Sequence, residues 1–166
     1  MMDVNILVIN MYKRIFSIVI LFCIFSISFA QKIYLGNSLY SGDVVATVRN
    51  GYLYAGNSSY SGDILCRFDG TRLYKGQSNY SGDILMNIKN GKIYNANSSY
   101  SGDVLCNIYN NQCYAQNSRY SGDILFNIKN NKVYSENSSY SGNILFTVSG
   151  YVHPIYFVFL IFYLSI

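Results

Sequence analysis

The chain has 166 residues, yet no tryptophan, one proline and one histidine. Charged residues make up only 12% of it. Each scarcity excludes something. A hydrolytic site needs a nucleophile, a base and an orienting group brought together. His153 stands alone next to the only proline, Pro154, and the many serines have no such partners. No enzymatic activity and no cofactor are therefore expected. The four cysteines show no Cys-x-x-Cys spacing, which argues against a zinc site. Lys32, Arg49, Arg67, Arg72, Lys75, Lys89, Lys92, Arg119, Lys129 and Lys132 are scattered rather than clustered, so no nucleic-acid partner is expected. The low share of charge suits an exported or envelope protein better than a cytosolic one.

What the chain has in abundance is repetition. Tyr34, Tyr54, Tyr74, Tyr94, Tyr114 and Tyr134 fall in one column with a period of twenty residues. Tyr40, Tyr60, Tyr80, Tyr100, Tyr120 and Tyr140 fall in a second, each followed by Ser-Gly. Next come Asp43, Asp63, Asp83, Asp103 and Asp123, with Asn143 in the last copy. Six copies in unbroken register mean that each is one structural unit packing on its neighbours.

Each unit reads as two short strands. Ile84, Met86 and Ile88 alternate with polar residues, the period of a strand. A turn pair follows, such as Asn90-Gly91 or Asn110-Asn111, whose residues tolerate positive φ and favour a two-residue hairpin. Such a turn pairs Ile88 with Ile93 and Asn87 with Tyr94. It places Ile84, Met86, Ile88 and Ile93 on one face, taken as the core, and Leu85, Asn87 and Tyr94 on the other. The repeat region opens with a second strand (Ile33-Tyr34) and closes with a first strand (Ile144 to Val148). Joining them would complete a sixth hairpin and remove both sheet edges. The expected fold is all-β: six tandem twenty-residue hairpin repeats closed into a symmetric flower or shallow barrel, with an open β-solenoid as the alternative.

The repeated pattern Ile-Tyr-x-x-Asn-x-x-x-x-Gly-Asp-Val-Leu-x-x-Ile, as in Ile93 to Ile108, resembles the bacterial 4-fold beta flower family. Those proteins are shallow symmetric barrels of short hairpins whose role is largely undefined, so the resemblance implies a fold and little function. Cell-wall-binding aromatic repeats are hairpins of similar length, but they rely on the tryptophan this chain lacks.

Residues 1–30 read as a secretory signal peptide: Lys13-Arg14, an apolar run from Ile15 to Phe25, and a Ser28-Phe29-Ala30 cleavage site before Gln31. The protein is thus expected to be secreted, periplasmic or at the cell surface. Residues 31–150 form the repeat domain and residues 151–166 a hydrophobic tail. The tail is shorter than the roughly 20 residues of a membrane-crossing helix. It reads as a covering strand, a membrane-dipping segment, an aggregation-prone stretch or an out-of-frame extension, with membrane contact through residues 155–166 one outcome. The strands are shorter than the 9–11 residues of an outer-membrane barrel strand.

Two columns are candidates for chemistry. The Asp column either forms a ring of carboxylates for Ca²⁺ or, as favoured here, accepts hydrogen bonds from turn N–H groups. No metal is expected. The two Tyr columns either stack on sugar rings, with nearby Asn and Ser reaching their hydroxyls, or form a ladder packed over Gly36, Gly56 and Gly76. Cys66, Cys106 and Cys113 replace apolar core residues and read as buried small hydrophobes. The expected role is non-catalytic and structural or interactive. The alternatives are a carbohydrate or cell-wall binding module and a membrane-peripheral protein held by its tail. The partner would be wall polysaccharide or another envelope protein.

Overall fold

The twenty-residue period becomes six antiparallel hairpins in a computed structural model that describes residues 30–165. The strands are β1 (Gln31–Leu35), β2 (Val44–Arg49), β3 (Tyr52–Ala55), β4 (Ile64–Phe68), β5 (Arg72–Lys75) and β6 (Ile84–Lys89). They continue as β7 (Lys92–Asn95), β8 (Val104–Tyr109), β9 (Gln112–Ala115), β10 (Ile124–Lys129), β11 (Lys132–Ser135) and β12 (Ile144–Val148). Every strand pairs with its neighbours in sequence, and β1 pairs with β12, so the sheet closes into a barrel. The closing register is Ile33 with Val148, Tyr34 with Thr147 and Leu35 with Phe146. The leader expected over residues 1–30 lies outside the described residues, apart from Ala30.

The turn chemistry sets the register. Asn50 and Gly51, Asn90 and Gly91, and the pairs Asn110-Asn111 and Asn130-Asn131 all have positive φ, between 49° and 79°. That backbone twist matches the twist of the flanking strands. As expected, Ile88 pairs with Ile93 and Asn87 with Tyr94.

One face assignment is corrected. Tyr74 pairs with Ile84 while Leu73 pairs with Met86, so a bulge absorbs Leu85. A bulge places two residues opposite one and shifts the alternation. Ile84 therefore shares the outer face with Tyr74. Leu85 packs against the inner core instead, as do Val45, Leu65, Leu105, Leu125 and Leu145.

The inner face is formed by Ile33, Ala46, Leu53, Cys66, Leu73, Met86, Ile93, Cys106, Cys113, Phe126, Val133 and Phe146. An eight-stranded barrel is just filled by its own side chains, and a wider one leaves a lumen. Twelve strands therefore need further apolar matter inside, and the C-terminal segment supplies it. Expected as a covering strand or membrane-dipping tail, this segment is helix α1 (Pro154–Tyr163), and it runs within the barrel. Ile155, Phe157, Val158 and Leu160 are at most 1% exposed. A helix apolar on all sides is one buried on all sides. Pro154 opens it, where a missing N–H costs nothing. His153 caps it, with Nδ1 accepting the Ile155 N–H at 3.3 Å. Phe157 stacks on Phe146, with centroids 6.0 Å apart, and meets Phe126 edge-on. Tyr156 donates its hydroxyl to the Gly51 carbonyl at 2.9 Å, and Tyr163 donates to the Leu85 carbonyl at 2.9 Å. The two tyrosines tie the helix to opposite ends of the barrel. The repeats and the segment after residue 150 thus share one core. Among the described residues no helix is long and apolar enough to cross a membrane.

Candidate functional site

The linkers between hairpins fold back over the outer face as flaps. Each starts with a residue in the left-handed region: Gly36, Gly56, Gly76, Ala96, Gln116 or Glu136, with φ between 50° and 59°. Its N–H continues the sheet ladder, as from Gly56 to the Val45 carbonyl at 2.9 Å. Polar side chains on the outer face then hold the flap down. Thr47 Oγ1 donates to the Gly56 carbonyl at 2.8 Å, Asn87 Nδ2 to the Ser98 carbonyl at 3.1 Å and Asn107 Nδ2 to the Ser118 carbonyl at 3.1 Å. Asn127 Nδ2 donates to the carbonyls of both Glu136 and Ser138. Buried polar groups of this kind must be paired or they destabilise the fold.

A serine and the Asp column brace each flap from within. Ser98 Oγ accepts the Tyr100 N–H at 3.1 Å and donates its proton to Asp103 Oδ2 at 2.5 Å. The Asp103 N–H in turn donates to the Tyr100 carbonyl at 3.0 Å, closing a short 3-10 turn over Ser101–Asp103. The same set recurs at Ser38 and Asp43, Ser58 and Asp63, Ser78 and Asp83, and Ser118 and Asp123. The carboxylates thus accept a serine hydroxyl, not turn N–H groups as expected from the sequence. In the last copy the donor and acceptor exchange roles: Asn143 Nδ2 donates to Ser138 Oγ at 2.9 Å. The Asp side chains stay each in its own flap. Among the described residues no three His, Cys, Asp or Glu come together as metal ligands.

The two Tyr columns separate. Tyr34, Tyr74, Tyr94, Tyr114 and Tyr134 are buried beneath the flaps, and Tyr54 is half-buried. Each packs beside an outer-face Val or Ile, as Tyr94 pairs with Val104. Arg67 lies 4.8 Å from the Tyr74 ring centroid. Beneath the flaps, Tyr34, Tyr74, Tyr94, Tyr114 and Tyr134 offer little ring face to a stacking sugar, and Tyr54 offers more. The second column is the reverse. Tyr40, Tyr60, Tyr80, Tyr100, Tyr120 and Tyr140 are 76–81% exposed, so they do not form a ladder packed over glycines. Bracing of the backbone on both sides holds each ring's attachment point rigid while the ring faces water.

Between adjacent flaps run grooves. One is lined by Asn37, Ser38, Leu39 and Tyr40 of a flap, with Thr147 of β12 and Lys132 of β11, and has a volume of about 390 Å³. An equivalent groove is bridged by Gln112 Nε2 donating to Asn137 Oδ1 at 3.1 Å. The carboxamide column (Asn37, Asn57, Gln77, Asn97, Asn117 and Asn137) is exposed throughout. Neither that column nor the one containing Lys132 was singled out from the sequence, although both are visible in the twenty-residue period.

The remaining reactive groups lie inside. Cys66, Cys106 and Cys113 are buried and free. Burial pushes the Cys66 thiol up, and a hydrogen bond with Cys106 together with burial pushes Cys113 up. Neither is therefore a thiolate nucleophile. Burial also holds His153 below the ordinary imidazole range, with Phe68 4.8 Å from its ring.

The sequence profile described as 6-fold beta flower protein matches residues 33–160. The chain belongs to the 6-fold beta flower family. The four-fold family inferred from the repeat pattern was close, but the repeat number is six, and the match extends past the repeats into α1. The match through residue 160 and the burial of Ile155 to Leu160 count against an out-of-frame origin for that segment. No curated protein and no solved structure matches the chain. The beta flower family has no defined role and no known catalytic role.

Proposed function

We propose that this flower is a non-catalytic protein of the cell envelope, exported by the leader over residues 1–30, that binds wall polysaccharide through its second Tyr column. One observation carries the reading: six tyrosines, 76–81% exposed, are presented at equivalent positions around a closed ring. Exposing large aromatic rings to water is unfavourable, and repeated exposure on braced backbone suits a face that stacks on a ligand. An exposed carboxamide three residues before each Tyr supplies donors and acceptors for sugar hydroxyls. A ligand that repeats along its length can engage several of six equivalent sites at once, so that weak single contacts add to useful avidity. Ile155 to Leu160 are buried in the shared core and are not free to enter a membrane, so membrane contact through the tail would rest on the exposed Phe162, Tyr163 and Leu164.

The test is co-sedimentation of the purified exported protein with insoluble peptidoglycan and other polysaccharides. Replacing Tyr60, Tyr80, Tyr100 and Tyr120 with Ser should abolish binding while circular dichroism stays unchanged. Binding that survives those four substitutions would rule out the Tyr column. Absence of binding by the folded wild-type protein would leave a structural role or a protein partner.

A further inference from the structure

The grooves carry a second chemistry besides aromatic rings. Lys132 of β11 lines one groove together with the flap bearing Tyr40. Gln112 of β9 occupies the same place opposite Asn137. Since the register repeats every twenty residues, Lys32, Tyr52, Arg72 and Lys92 occupy it in the other four. Four of the six equivalent positions therefore carry a cation, Arg72 exposed and Lys32, Lys92 and Lys132 half-buried, each in register with an exposed Tyr and an exposed carboxamide. Asp123 and Glu136 line a groove together with Asn137, but no acidic side chain lines the groove of Lys132. The Asp43 carboxylate is turned to Ser38 within its own flap, and Asp43 does not line the groove.

We propose that these grooves take the acidic groups of an anionic polysaccharide, with Lys32, Arg72, Lys92 and Lys132 meeting the charge and the adjacent Tyr meeting the sugar ring. The inference rests on the polysaccharide reading above and names the ligand's charge. Carboxylate of a uronic acid and phosphate of a polyol-phosphate chain share the required chemistry. Single-stranded nucleic acid would also offer anions and rings. It needs a continuous basic track for its backbone, whereas these cations stand one to a groove around a ring.

The experiment measures binding of the full exported protein to four soluble polymers at 50 mM and 200 mM salt: polygalacturonate, polyglycerol phosphate, a neutral galactan and single-stranded DNA. The variants are the triple Lys32→Gln, Lys92→Gln, Lys132→Gln, the corresponding triple Lys→Arg, and the four-Tyr variant. An acidic polysaccharide should bind more tightly than the neutral one and weaken as salt rises. The Gln triple should lose roughly tenfold in affinity for the acidic polymer, which is about 1.4 kcal/mol shared among the three charges. It should keep wild-type affinity for the galactan and an unchanged melting temperature, and the Arg triple should retain acidic binding. Whichever of the two acidic polymers responds identifies the source of the anion. Equal binding of acidic and neutral polymers, or an unaffected Gln triple, would overturn the charge inference while leaving the Tyr reading intact. Tighter binding of DNA than of either acidic polysaccharide would overturn it in favour of a nucleic acid. Loss of all binding selectivity for the Tyr column, with the four-Tyr variant equal to wild type, would overturn both.

Discussion

Removing α1 should unfold the protein. Ending the chain at Gly150 deletes Ile155, Phe157, Val158, Phe159 and Leu160, none more than 5% exposed. Burying such a side chain contributes roughly 1.5–3 kcal/mol, so the five together contribute on the order of 8–15 kcal/mol. That equals the whole stability of an ordinary domain, about 5–15 kcal/mol. The deletion also leaves a lumen lined by Phe126, Phe146, Leu73 and Met86, which must fill with water or collapse. A smaller perturbation is Phe157→Ala. It removes a ring stacked on Phe146 and edge-on to Phe126, and should cost about 3–5 kcal/mol. Urea unfolding followed by circular dichroism measures both. The Gly150 variant should lack a cooperative transition, and Phe157→Ala should shift the midpoint down without changing the slope. A Gly150 variant that unfolds cooperatively near the wild-type midpoint would refute the role of α1 as the barrel's core.

Further predictions concern the flaps and the helix cap. Ala96, Gln116 and Glu136 occupy the left-handed position that Gly36, Gly56 and Gly76 fill without strain. Changing any of the three to Gly should therefore raise stability by about 0.5–1 kcal/mol, and Gly56→Ala should lower it by a similar amount, measured by thermal unfolding. Asp103→Ala should cost about 1 kcal/mol by removing the acceptor of the Ser98 hydroxyl, whereas Asp103→Asn, which reproduces the last copy, should cost less than half of that. Burial lowers the His153 pKa in the folded state, so the unfolded chain binds the proton more readily. Stability should then fall as pH drops below about 6.5, the unfolded value. His153→Asn, which keeps a capping acceptor, should flatten that dependence in melting curves taken between pH 5 and 8. Cys66, Cys106 and Cys113 should react with a thiol reagent only after denaturation.

Much of this architecture is local in origin and therefore legible in the chain. Asn90-Gly91 specifies its own turn, and the turn specifies the pairing of Ile88 with Ile93. The typical appearance of both terminal repeats pointed to the pairing of β1 with β12, whose register sets Ile33 against Val148. Features that depend on the closed ring were not legible. The run from Ile155 to Ile161 is aromatic and β-branched and reads as a strand by propensity. It is a helix because a twelve-stranded lumen accepts an all-apolar helix, whose backbone bonds are satisfied internally, and would leave a lone strand's backbone unpaired. The bulge was hidden in the adjacent apolar pair Ile84-Leu85. That pair signals that both faces of the sheet are covered, one by α1 and one by the flaps. The candidate site was half visible. Both Tyr columns stood out, but only the flap geometry buries one and exposes the other.

The most direct test of the central claim is aromatic NMR of protein carrying ¹³C-labelled tyrosine, titrated with soluble peptidoglycan fragments and acidic polysaccharides. If the flower binds glycans through its rim, the rings of Tyr40, Tyr60, Tyr80, Tyr100, Tyr120 and Tyr140 should shift together, and those of Tyr34, Tyr74, Tyr94, Tyr114 and Tyr134 should not. An exposed column that stays unshifted at saturating glycan would contradict the account.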